Sequence, residues 1–479
     1  MIPGHATPEG TTKLAEKFSL LQYNPFGKTG LMASQAGFGS YRVDVMIEPH
    51  HDALRKALLN GINVIDTSAN YSDGGSEQLI GSVLQELISE KKVARESIIV
   101  VSKGGYIQGQ NLLVSNQRKD EGNPFPELVE FDENLEHCIH PEFLADQITR
   151  SLERLNLQTI DGYLLHNPEY YLVWCQQQGV PIDEARDNYY DRIRDAFDHL
   201  EEEVAEGRIR FYGISSNTFP ASEDSYEWTS LDRLPKKPNF KVIQFPMNLL
   251  EGEGITLLPA DGLAVMINRP LNAIVDNRLI RLADSPAETG IPEEEIQVFV
   301  QAIFKLEELF FRGVLAHVDD STNIKWEEIF SVGKSLLYSW REFESAEHWK
   351  EILNHDLLPR VERGVHHLTQ SLNEEVKAWV EAYLRALRPA FHAVTRYYKQ
   401  LALERTSPIK EAVRSCHADW ASADSLSRMA LRALRTTQGI TTTLVGMRRA
   451  AYVDDVLAEL SQPVATQDHR ASWAKLNLL

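Results

Sequence analysis

The sequence has little cysteine and no long apolar stretch. Among its 479 residues there are three cysteines, Cys138, Cys175 and Cys416, and they stand far apart. Such sparse cysteines exclude a disulfide framework and favour a reducing compartment. Residues 1–18 lack the apolar core of a secretory signal, and no stretch reaches the ~18 apolar residues that a membrane span needs. We therefore expect a cytoplasmic protein.

Positive charge is also in short supply. The chain carries 49 Lys and Arg against 69 Asp and Glu, which gives a formal net charge of −20 spread along the sequence. An excess of negative charge disfavours binding to nucleic acid or to an anionic membrane. We expect a small-molecule ligand, and whether the chain forms a homo-oligomer stays open.

Short apolar runs alternate with amphipathic helical stretches over most of the chain. The runs cover residues 36–41, 62–65, 98–101, 160–165, 209–214, 242–245, 263–267 and 441–445. Repeated units of this kind predict a parallel sheet with right-handed crossovers. About eight of them predict an α/β fold of the (β/α)₈ barrel type, which takes about 250 residues.

One long segment interrupts this rhythm. Residues 276–415 show almost no strand pattern and predict helices over 292–314, 325–354, 358–370 and 372–404. We therefore expect a barrel built from 20–275 plus 416–479, an N-terminal extension over 1–19, and an all-helical insertion between strands 7 and 8. Because the insertion leaves the barrel after a strand, where active sites lie, we hypothesise that it caps the substrate pocket. An oligomer contact is the alternative role.

The insertion also carries an apolar stripe. Its members are Trp326, Ile329, Phe330, Leu336, Leu337 and Trp340. The stripe forms the core of the insertion, or part of it faces the active site or a second subunit.

Four polar residues follow consecutive strands of the predicted barrel. Asp66 and Tyr71 come after the second strand, Lys103 after the third, and His166 after the fourth. The carboxyl ends of barrel strands converge on one rim, so this quartet of side chains should meet there. A tyrosine beside a lysine can deliver a proton to a developing alkoxide, because the cation lowers the phenol pKa. Asp66 would hold Lys103, and His166 would hydrogen-bond the substrate oxygen.

Two other motifs carry weaker predictions. His137, Cys138 and His140 lie close together, but no fourth zinc ligand with suitable spacing follows, and we predict no metal. Gly37-Phe38-Gly39 lacks the third glycine of a dinucleotide fingerprint, which disfavours a Rossmann fold.

The ordered motifs of the chain resemble those of the aldo-keto reductases. The matching segments include Gly37-Phe38-Gly39-Ser40-Tyr41, residues 61–71, Val101-Ser102-Lys103, Asp161-Gly162-Tyr163-Leu164-Leu165-His166, Gly213-Ile214-Ser215-Ser216-Asn217 and Gln244-Phe245-Pro246. The similarity covers residues 20–275 and 416–460, which is over half of the chain. It implies NAD(P)H-dependent reduction of an aldehyde or ketone, or the reverse alcohol oxidation, by a catalytic tetrad that the quartet matches.

The resemblance also implies a cofactor site. Its expected members are Gly39, Ser40, Tyr41, Ser215, Ser216, Asn217, Gln244, Asn268, Arg269, Pro270, Leu271, Gly446, Arg448 and Asp455. Asn268 stands where the family often has an aromatic partner for nicotinamide, and Arg269 could reach the pyrophosphate. The arginine pair Arg448 and Arg449 favours NADP, with NAD as the alternative. A cofactor-binding regulatory or interaction protein with little turnover is the rival to an active enzyme.

Overall fold

The computed structural model describes residues 1–275, 278–284, 290–318, 324–369, 371 and 373–477. Within it the chain divides into two compact units. The first contains Met1–Ala273 and Ala412–Leu479, and the second contains Ile274–Glu411.

The first unit is a closed barrel of eight parallel strands, as the sequence predicts. In chain order the strands are β1 (Ala36–Gly39), β2 (Val64–Asp66), β3 (Ile99–Gly104), β4 (Ile160–His166), β5 (Ile209–Ser215), β6 (Phe240–Pro246), β7 (Ala264–Asn268) and β8 (Thr442–Val445). Neighbours in sequence are neighbours in the barrel, and β8 closes it by pairing with both β7 and β1.

Helices accompany most of these strands. In this unit they span Pro8–Lys17, Glu48–Leu59, Gly75–Ser89, Gly109–Asp120, Pro141–Leu155, Tyr170–Gln177, Ile182–Ala205, Ala418–Ala421, Leu426–Arg435, Ala450–Leu460 and Arg470–Leu476. Local chemistry marks several ends: Pro141 opens one helix at its first turn, and Asn156 closes it in the left-handed conformation. Shorter 3-10 turns cover Gly27–Thr29, Tyr71–Gly74, Arg95–Ser97 and Glu253–Leu257.

The N-terminal segment seals the amino end of the barrel. Strands Tyr23–Pro25 and Met32–Ser34 form a hairpin, and the fully buried Phe26 beside it belongs to the barrel core together with Phe211. Residues 1–19, expected as an extension, belong to the same unit. Their anchor is Asp161, whose carboxylate accepts from the Ala6 amide at 2.7 Å and from Arg95 at 2.8 Å.

The connection from β3 to β4 builds a structure of its own. Strands Tyr106–Ile107, Val129–Asp132 and Leu135–His137 form a three-stranded antiparallel sheet next to the helix Gly109–Asp120. This sheet places Tyr106 and His137 directly behind the end of β4, where the candidate site lies.

The second unit is mostly helical. Its helices span Glu293–Arg312, Trp326–Ile329, Val332–Ser339, Ala346–Ile352, Leu358–Thr369 and Glu374–Cys416, with a π-turn at Leu353–Leu357 and a 3-10 turn at Val314–His317. The last helix runs past the unit boundary. The insertion is not helical at its start, because Asn272–Val275 and Arg278–Arg281 form a two-stranded sheet.

The predicted single helix over 325–354 is wrong. The structure breaks it into three short helices before the π-turn, and the first ends at Phe330 with φ −98° and ψ 61°. The reason is tertiary packing: Phe330 turns its ring onto Trp379 and Tyr383, at centroid distances of 4.9 and 5.3 Å. Burying that ring outweighs the weak preference of the local sequence for an unbroken helix.

The apolar stripe of the insertion lies in the core of the second unit. Trp326, Phe330, Leu336 and Trp340 are buried there, and Ile329 and Leu337 pack against them. No helix in the described part of the chain is long and apolar enough to cross a membrane.

Candidate active site

Three members of the quartet end adjacent barrel strands. Asp66 is the last residue of β2, Lys103 the second-last of β3, and His166 the last of β4. The sequence analysis predicted these residues just after their strands, whereas in the structure they lie within the last paired positions of the strands. Strand register therefore holds these side chains at one rim of the barrel.

Lys103 is the centre of the site. Its side chain is fully buried, and Nζ donates to Asp66 Oδ2 at 2.8 Å, to the Thr67 carbonyl at 2.7 Å and to Tyr71 Oη at 3.2 Å. Nζ also lies 4.7 Å from the centre of the Tyr71 ring. Three acceptors satisfy the three ammonium hydrogens, so this cation is held at the phenol.

Tyr71 stands on a strained turn. The two residues after it, Ser72 and Asp73, have φ values of 49° and 51°, which residues other than glycine rarely adopt. The Ser72 hydroxyl donates to the Val43 carbonyl at 2.8 Å, and Asp73 accepts from the Gln110 amide at 3.1 Å. These two bonds hold the turn that presents the phenol.

The pKa of Tyr71 corrects one expectation. We expected Lys103 to bring the pKa of the phenol down, but burial raises it above its ordinary value of 10, and the charge of Lys103 only opposes this. Burial alone would lower the pKa of Lys103, and the contacts with Asp66 and Tyr71 raise it instead. Tyr71 is therefore a neutral phenol and Lys103 a cation at neutral pH.

His166 faces the same space as a neutral ring. Burial first, and then the charge of Lys103, hold the pKa of His166 well below its ordinary value of 6.5. Its ring lies edge-on to those of Tyr71 and Tyr106, at centroid distances of 5.9 and 4.7 Å. Its Nδ1 lies 3.0 Å from the hydroxyl of Ser68.

Two predicted cofactor residues join this network. Gln244, on β6, donates through Nε2 to Asp66 Oδ1 at 2.8 Å, and Ser215, on β5, donates to Gln244 Oε1 at 2.9 Å. Ser216 is buried beside Thr218, whereas Asn217 is exposed and its backbone N–H donates to Glu169 Oε1 at 2.7 Å. The ends of β5 and β6 are thus joined to the quartet through Asp66.

Of the three predicted residues at the end of β1, Gly39 and Ser40 belong to the barrel framework, and Tyr41 is exposed. Gly39 ends the strand, and the buried Ser40 donates to the Asp66 carbonyl at 2.8 Å. Tyr41 is 65% exposed and its ring meets that of Tyr71 edge-on at 5.3 Å. Tyr41 therefore forms a wall beside the phenol.

The segment after β7 takes an unexpected conformation. Arg269 has φ 51° and binds Glu251 at 2.6 Å, rather than pointing freely toward a ligand. Asn268 Oδ1 and Arg269 Nε are buried without a hydrogen-bond partner within the described chain. Pro270 and Leu271, which follow, are buried.

The predicted adenosine end lies after β8. Gly446 and Arg448 are exposed there. The carboxylate of Asp455 accepts from Arg428 at 2.7 Å and from Ser427 at 2.9 Å, so the structure ties it to the adjacent helix Leu426–Arg435. No sequence motif pointed to Arg428 or Ser427.

Other residues at the site were missed by the sequence analysis. Ser68 and Tyr106 contact the His166 ring, and the His137 ring lies 2.8 Å from the His166 carbonyl. Burial raises the pKa of Glu169 to about 7. Ser68 and Glu169 were findable, because they follow β2 and β4, but His137 arrives from the inserted sheet.

A metal centre finds no support in the described ranges. There, no group of three or more His, Cys, Asp or Glu side chains is arranged to hold a metal ion. His137 contacts a carbonyl, and Cys138 donates to the Pro126 carbonyl at 3.4 Å.

Comparison with known proteins agrees with this geometry. Residues 37–273 match the model of the aldo/keto reductase family. The chain is 26% identical over 255 residues to the NADH-specific methylglyoxal reductase of Escherichia coli, covering 52% of this chain and 66% of that one. It is 22% identical over 239 residues to aldo-keto reductase YhdN of Bacillus subtilis, covering 49% and 56%.

Both alignments span less than two thirds of the relative. Among solved structures, an aldo/keto reductase from Klebsiella pneumoniae in complex with NADP and acetate aligns with 96% of this chain and 95% of its own, at 14% identity and a TM-score of 0.44. On its barrel, its motifs and the family match, this chain belongs to the aldo/keto reductase family.

Proposed function

We propose that this protein is an oxidoreductase that reduces an aldehyde or ketone with NAD(P)H, or oxidises the corresponding alcohol. One observation carries the proposal: the buried Lys103 ammonium bridges the Asp66 carboxylate and the Tyr71 hydroxyl at the carboxyl rim of the barrel. A phenol held against a fixed cation can give up its proton, because the resulting phenolate is paired at once.

Each member of the quartet has a separate task in this reaction. Tyr71 donates its proton to the substrate oxygen during reduction and takes it back during oxidation. Lys103 stabilises the phenolate, and Asp66 keeps Lys103 in place. His166, being neutral, binds the substrate oxygen without adding a second positive charge.

The residues at the ends of the remaining strands fit a dinucleotide. The Ser215 hydroxyl and the Gln244 amide lie together beside Asp66. At the end of β7, Asn268 Oδ1 and Arg269 Nε are buried polar atoms without a hydrogen-bond partner in the described chain. Ser215, Ser216, Asn217 and Gln244 would hold the nicotinamide amide, and the guanidinium of Arg269 would reach the pyrophosphate. The nicotinamide, when bound, supplies the hydride.

NADP is the proposed cofactor, with NAD as the alternative. Arg448 is an exposed residue whose planar guanidinium suits a 2′-phosphate, and Arg449 beside it adds charge. The relatives differ here, since one is named for NADH and a solved neighbour holds NADP. Arg448→Ala should weaken NADPH binding about tenfold and leave NADH binding unchanged, measured by fluorescence titration. Equal loss for both cofactors would contradict NADP selection.

The test of the reaction is NADPH oxidation over a panel of aldehydes and ketones. Tyr71→Phe should lower kcat at least about 100-fold, because the proton donor is gone, while the Kd of the cofactor stays within twofold or so. Tyr338→Phe is the matched control, since this tyrosine is 77% exposed in the second unit. Tight cofactor binding without turnover by the wild type would favour the regulatory alternative.

A further inference from the structure

Glu169 is a buried glutamate that closely follows the end of β4. It is 4% exposed. Its Oε1 accepts a hydrogen bond from the backbone N–H of Asn217 at 2.7 Å, whereas Oε2 is buried without a hydrogen-bond partner among the described residues. The proton transfer from Tyr71 does not involve this carboxyl, because it belongs to the contact between the ends of β4 and β5.

Glu169 contacts the segment that we call the β5 turn, residues 215–217. Three hydrogen bonds from neighbouring segments hold the backbone of this turn. The Ser216 N–H donates to the Gln244 carbonyl at 2.9 Å, and the Asn167 N–H donates to the last carbonyl of β5 at 2.7 Å. The third is the bond to Glu169. Among these three, only the bond to Glu169 has an acceptor that can change its charge, because the other two acceptors are backbone carbonyls.

The surroundings of the Glu169 carboxyl make its charge variable at neutral pH. Burial raises the pKa of Glu169 to about 7, and the hydrogen bonds with the Asn217 N–H and the Ser216 hydroxyl act against this rise. The carboxyl therefore exists both as a neutral acid and as a carboxylate within the physiological range of pH.

Three other ionisable side chains face this carboxyl. Glu227 faces it from the segment between β5 and β6, and its charge adds to the rise in the pKa of Glu169. Tyr189 on the helix Ile182–Ala205 and Tyr106 on the three-stranded sheet face it from two further elements. Burial raises the pKa of both phenols well above 10, so they stay neutral. Since none of the three is a cation, none of them stabilises the carboxylate by charge.

We propose that Glu169 is a positioning residue that holds the β5 turn against the end of β4, and that this turn then receives the nicotinamide carboxamide. The inference rests on the proposed function for the identity of the ligand. A carboxylate accepts the Asn217 N–H in a charge-assisted hydrogen bond, which is roughly twice as strong as the bond of the neutral acid. A turn that is already held costs less to order on binding, so cofactor affinity should be higher above pH 7 than below it.

The direct test follows the backbone amide of Asn217 by ¹H–¹⁵N NMR on protein labelled with ¹⁵N-asparagine. Its signal is assigned by its loss in Asn217→Ser, which changes an exposed residue. In the wild type the amide proton should move downfield as the carboxyl ionises, with a midpoint at about pH 7. In Glu169→Gln, which keeps an acceptor oxygen but cannot ionise, this titration should be absent. A wild-type signal that does not titrate there, or a titration that persists in Glu169→Gln, would overturn the proposal.

A binding measurement links the turn to the cofactor. The calorimetric Kd of NADP is compared at pH 6 and pH 8 with that of 2′-phospho-ADP-ribose, a fragment with the same phosphates but no nicotinamide. Dividing the NADP ratio by the fragment ratio removes the titration of the 2′-phosphate itself. The corrected Kd of NADP should be about fivefold higher at pH 6, as expected when a charge-assisted hydrogen bond becomes a neutral one. Turnover at saturating cofactor does not sense this affinity, so Kd is the readout.

Glu169→Gln should bind NADP with the same corrected Kd at both pH values and bind the fragment as the wild type does. A role confined to stability would not remove the pH dependence for one of two ligands. The matched control is Glu307→Gln, because Glu307 is a buried glutamate of the second unit that accepts the Gly333 N–H at 2.8 Å. This variant should keep the wild-type ratio and the Asn217 titration.

The outcomes separate this inference from the proposed function. A corrected ratio of about one in the wild type, or a wild-type ratio in Glu169→Gln, would contradict the link between Glu169 and the nicotinamide end. A wild type that binds neither NADP nor the fragment would instead contradict the proposed function. The Asn217 titration would then still decide whether Glu169 holds the β5 turn.

Discussion

Lys103 is the residue on which the site depends. An ammonium with no exposed surface is expensive to bury, and only a well-made ion pair with further hydrogen bonds offsets that desolvation. The structure provides both, through Asp66 and through the carbonyl of Thr67. Its removal should therefore disturb folding as well as chemistry.

Lys103→Met should lower the free energy of unfolding by about 3–5 kcal/mol, because it leaves the Asp66 carboxylate buried without its cation. Urea denaturation measures this, and Lys13→Met, at an exposed position, is the control. The double variant Asp66→Asn with Lys103→Met should lose less free energy of unfolding than Lys103→Met alone. A double variant as unstable as the sum of the two single ones would refute the ion-pair explanation.

The pH dependence follows from the pKa directions of Tyr71 and His166. Because the pKa of Tyr71 is raised, its phenol stays protonated through neutral pH. Reduction should therefore be flat across neutral pH and fall only in the alkaline range, whereas oxidation, which needs the phenolate, should rise there. Because the pKa of His166 is lowered, kcat/KM should show no inflection near 6.5. Profiles of kcat/KM in both directions check this, and an inflection near 6.5 that disappears in His166→Gln would contradict it.

The three-stranded sheet between β3 and β4 is the element that supports His166 from behind. His137, at the end of its strand, is fully buried and burial lowers its pKa from 6.5 to about 4. The folded protein therefore keeps this ring neutral while the unfolded chain takes up a proton as pH falls below 6.5. The neutral ring therefore contributes its full stability above pH 6.5, and this contribution is lost as pH falls toward 4.

The free energy of unfolding should thus fall by about 2 kcal/mol through His137 between about pH 7 and about pH 5. In His137→Gln this part of the pH dependence should be missing. His366→Gln is the control, because His366 is exposed. Urea denaturation at both pH values measures this difference. An equal change in the free energy of unfolding between the two pH values in wild type and in His137→Gln would rule out His137 as its source.

Helix packing around the barrel depends on one close approach at Gly81. A Cβ added there would lie 2.7 Å from the backbone of Arg154 and Leu155, on the helix Pro141–Leu155. Gly81→Ala should therefore destabilise the protein by about 1–3 kcal/mol despite its better helix propensity. The neighbouring Ser82 is exposed, and Ser82→Ala should change stability by less than about 0.5 kcal/mol. Thermal unfolding of both variants measures the effect. A more stable Gly81→Ala would contradict the prediction, because it would show that the two helices can move apart at little cost.

At the scale of the whole molecule, the second unit has a hydrophobic core of its own. Its aromatic centre is Phe330, which is 1% exposed and packs on Phe310, Trp326, Trp379 and Tyr383. A separate core of this kind can unfold as a separate cooperative unit.

Phe330→Ala should lower the stability of the second unit by about 3–5 kcal/mol. Calorimetry of Phe330→Ala should show two unfolding transitions, and only the transition of the second unit should shift to lower temperature. NADPH binding should be unchanged at temperatures below the first transition. A single transition that moves as a whole would show that the long helix Glu374–Cys416 couples the two units.

The capping role of the insertion stays a prediction. Removal of residues 280–410 with a short linker should change substrate KM and leave the Kd of the cofactor unchanged if the insertion closes over the substrate. Sedimentation of the same variant tests the oligomer alternative, which predicts a loss of mass beyond that of the deleted residues.

Sequence patterns predicted the barrel well because its signals are local. Each buried parallel strand is a short apolar run, and the observed bounds of β1 to β8 agree with those runs to within a few residues. The quartet was predictable for the same reason, since three of its members stand at strand ends and Tyr71 follows β2 within five residues. The helix over 325–354 failed because distant aromatic partners, and not neighbours in sequence, decide where that segment bends.

By itself, then, the sequence determined the family, the order of the strands and the identity of the four rim residues, because periodicity and motif spacing are properties of the chain alone. Only the tertiary structure decided the protonation of the site. The pKa of Tyr71 is raised and not lowered because burial, which no local pattern reveals, outweighs the charge of Lys103. Ser68 and His137 likewise gained their contacts from folding, which places residues distant in sequence against the two sides of His166.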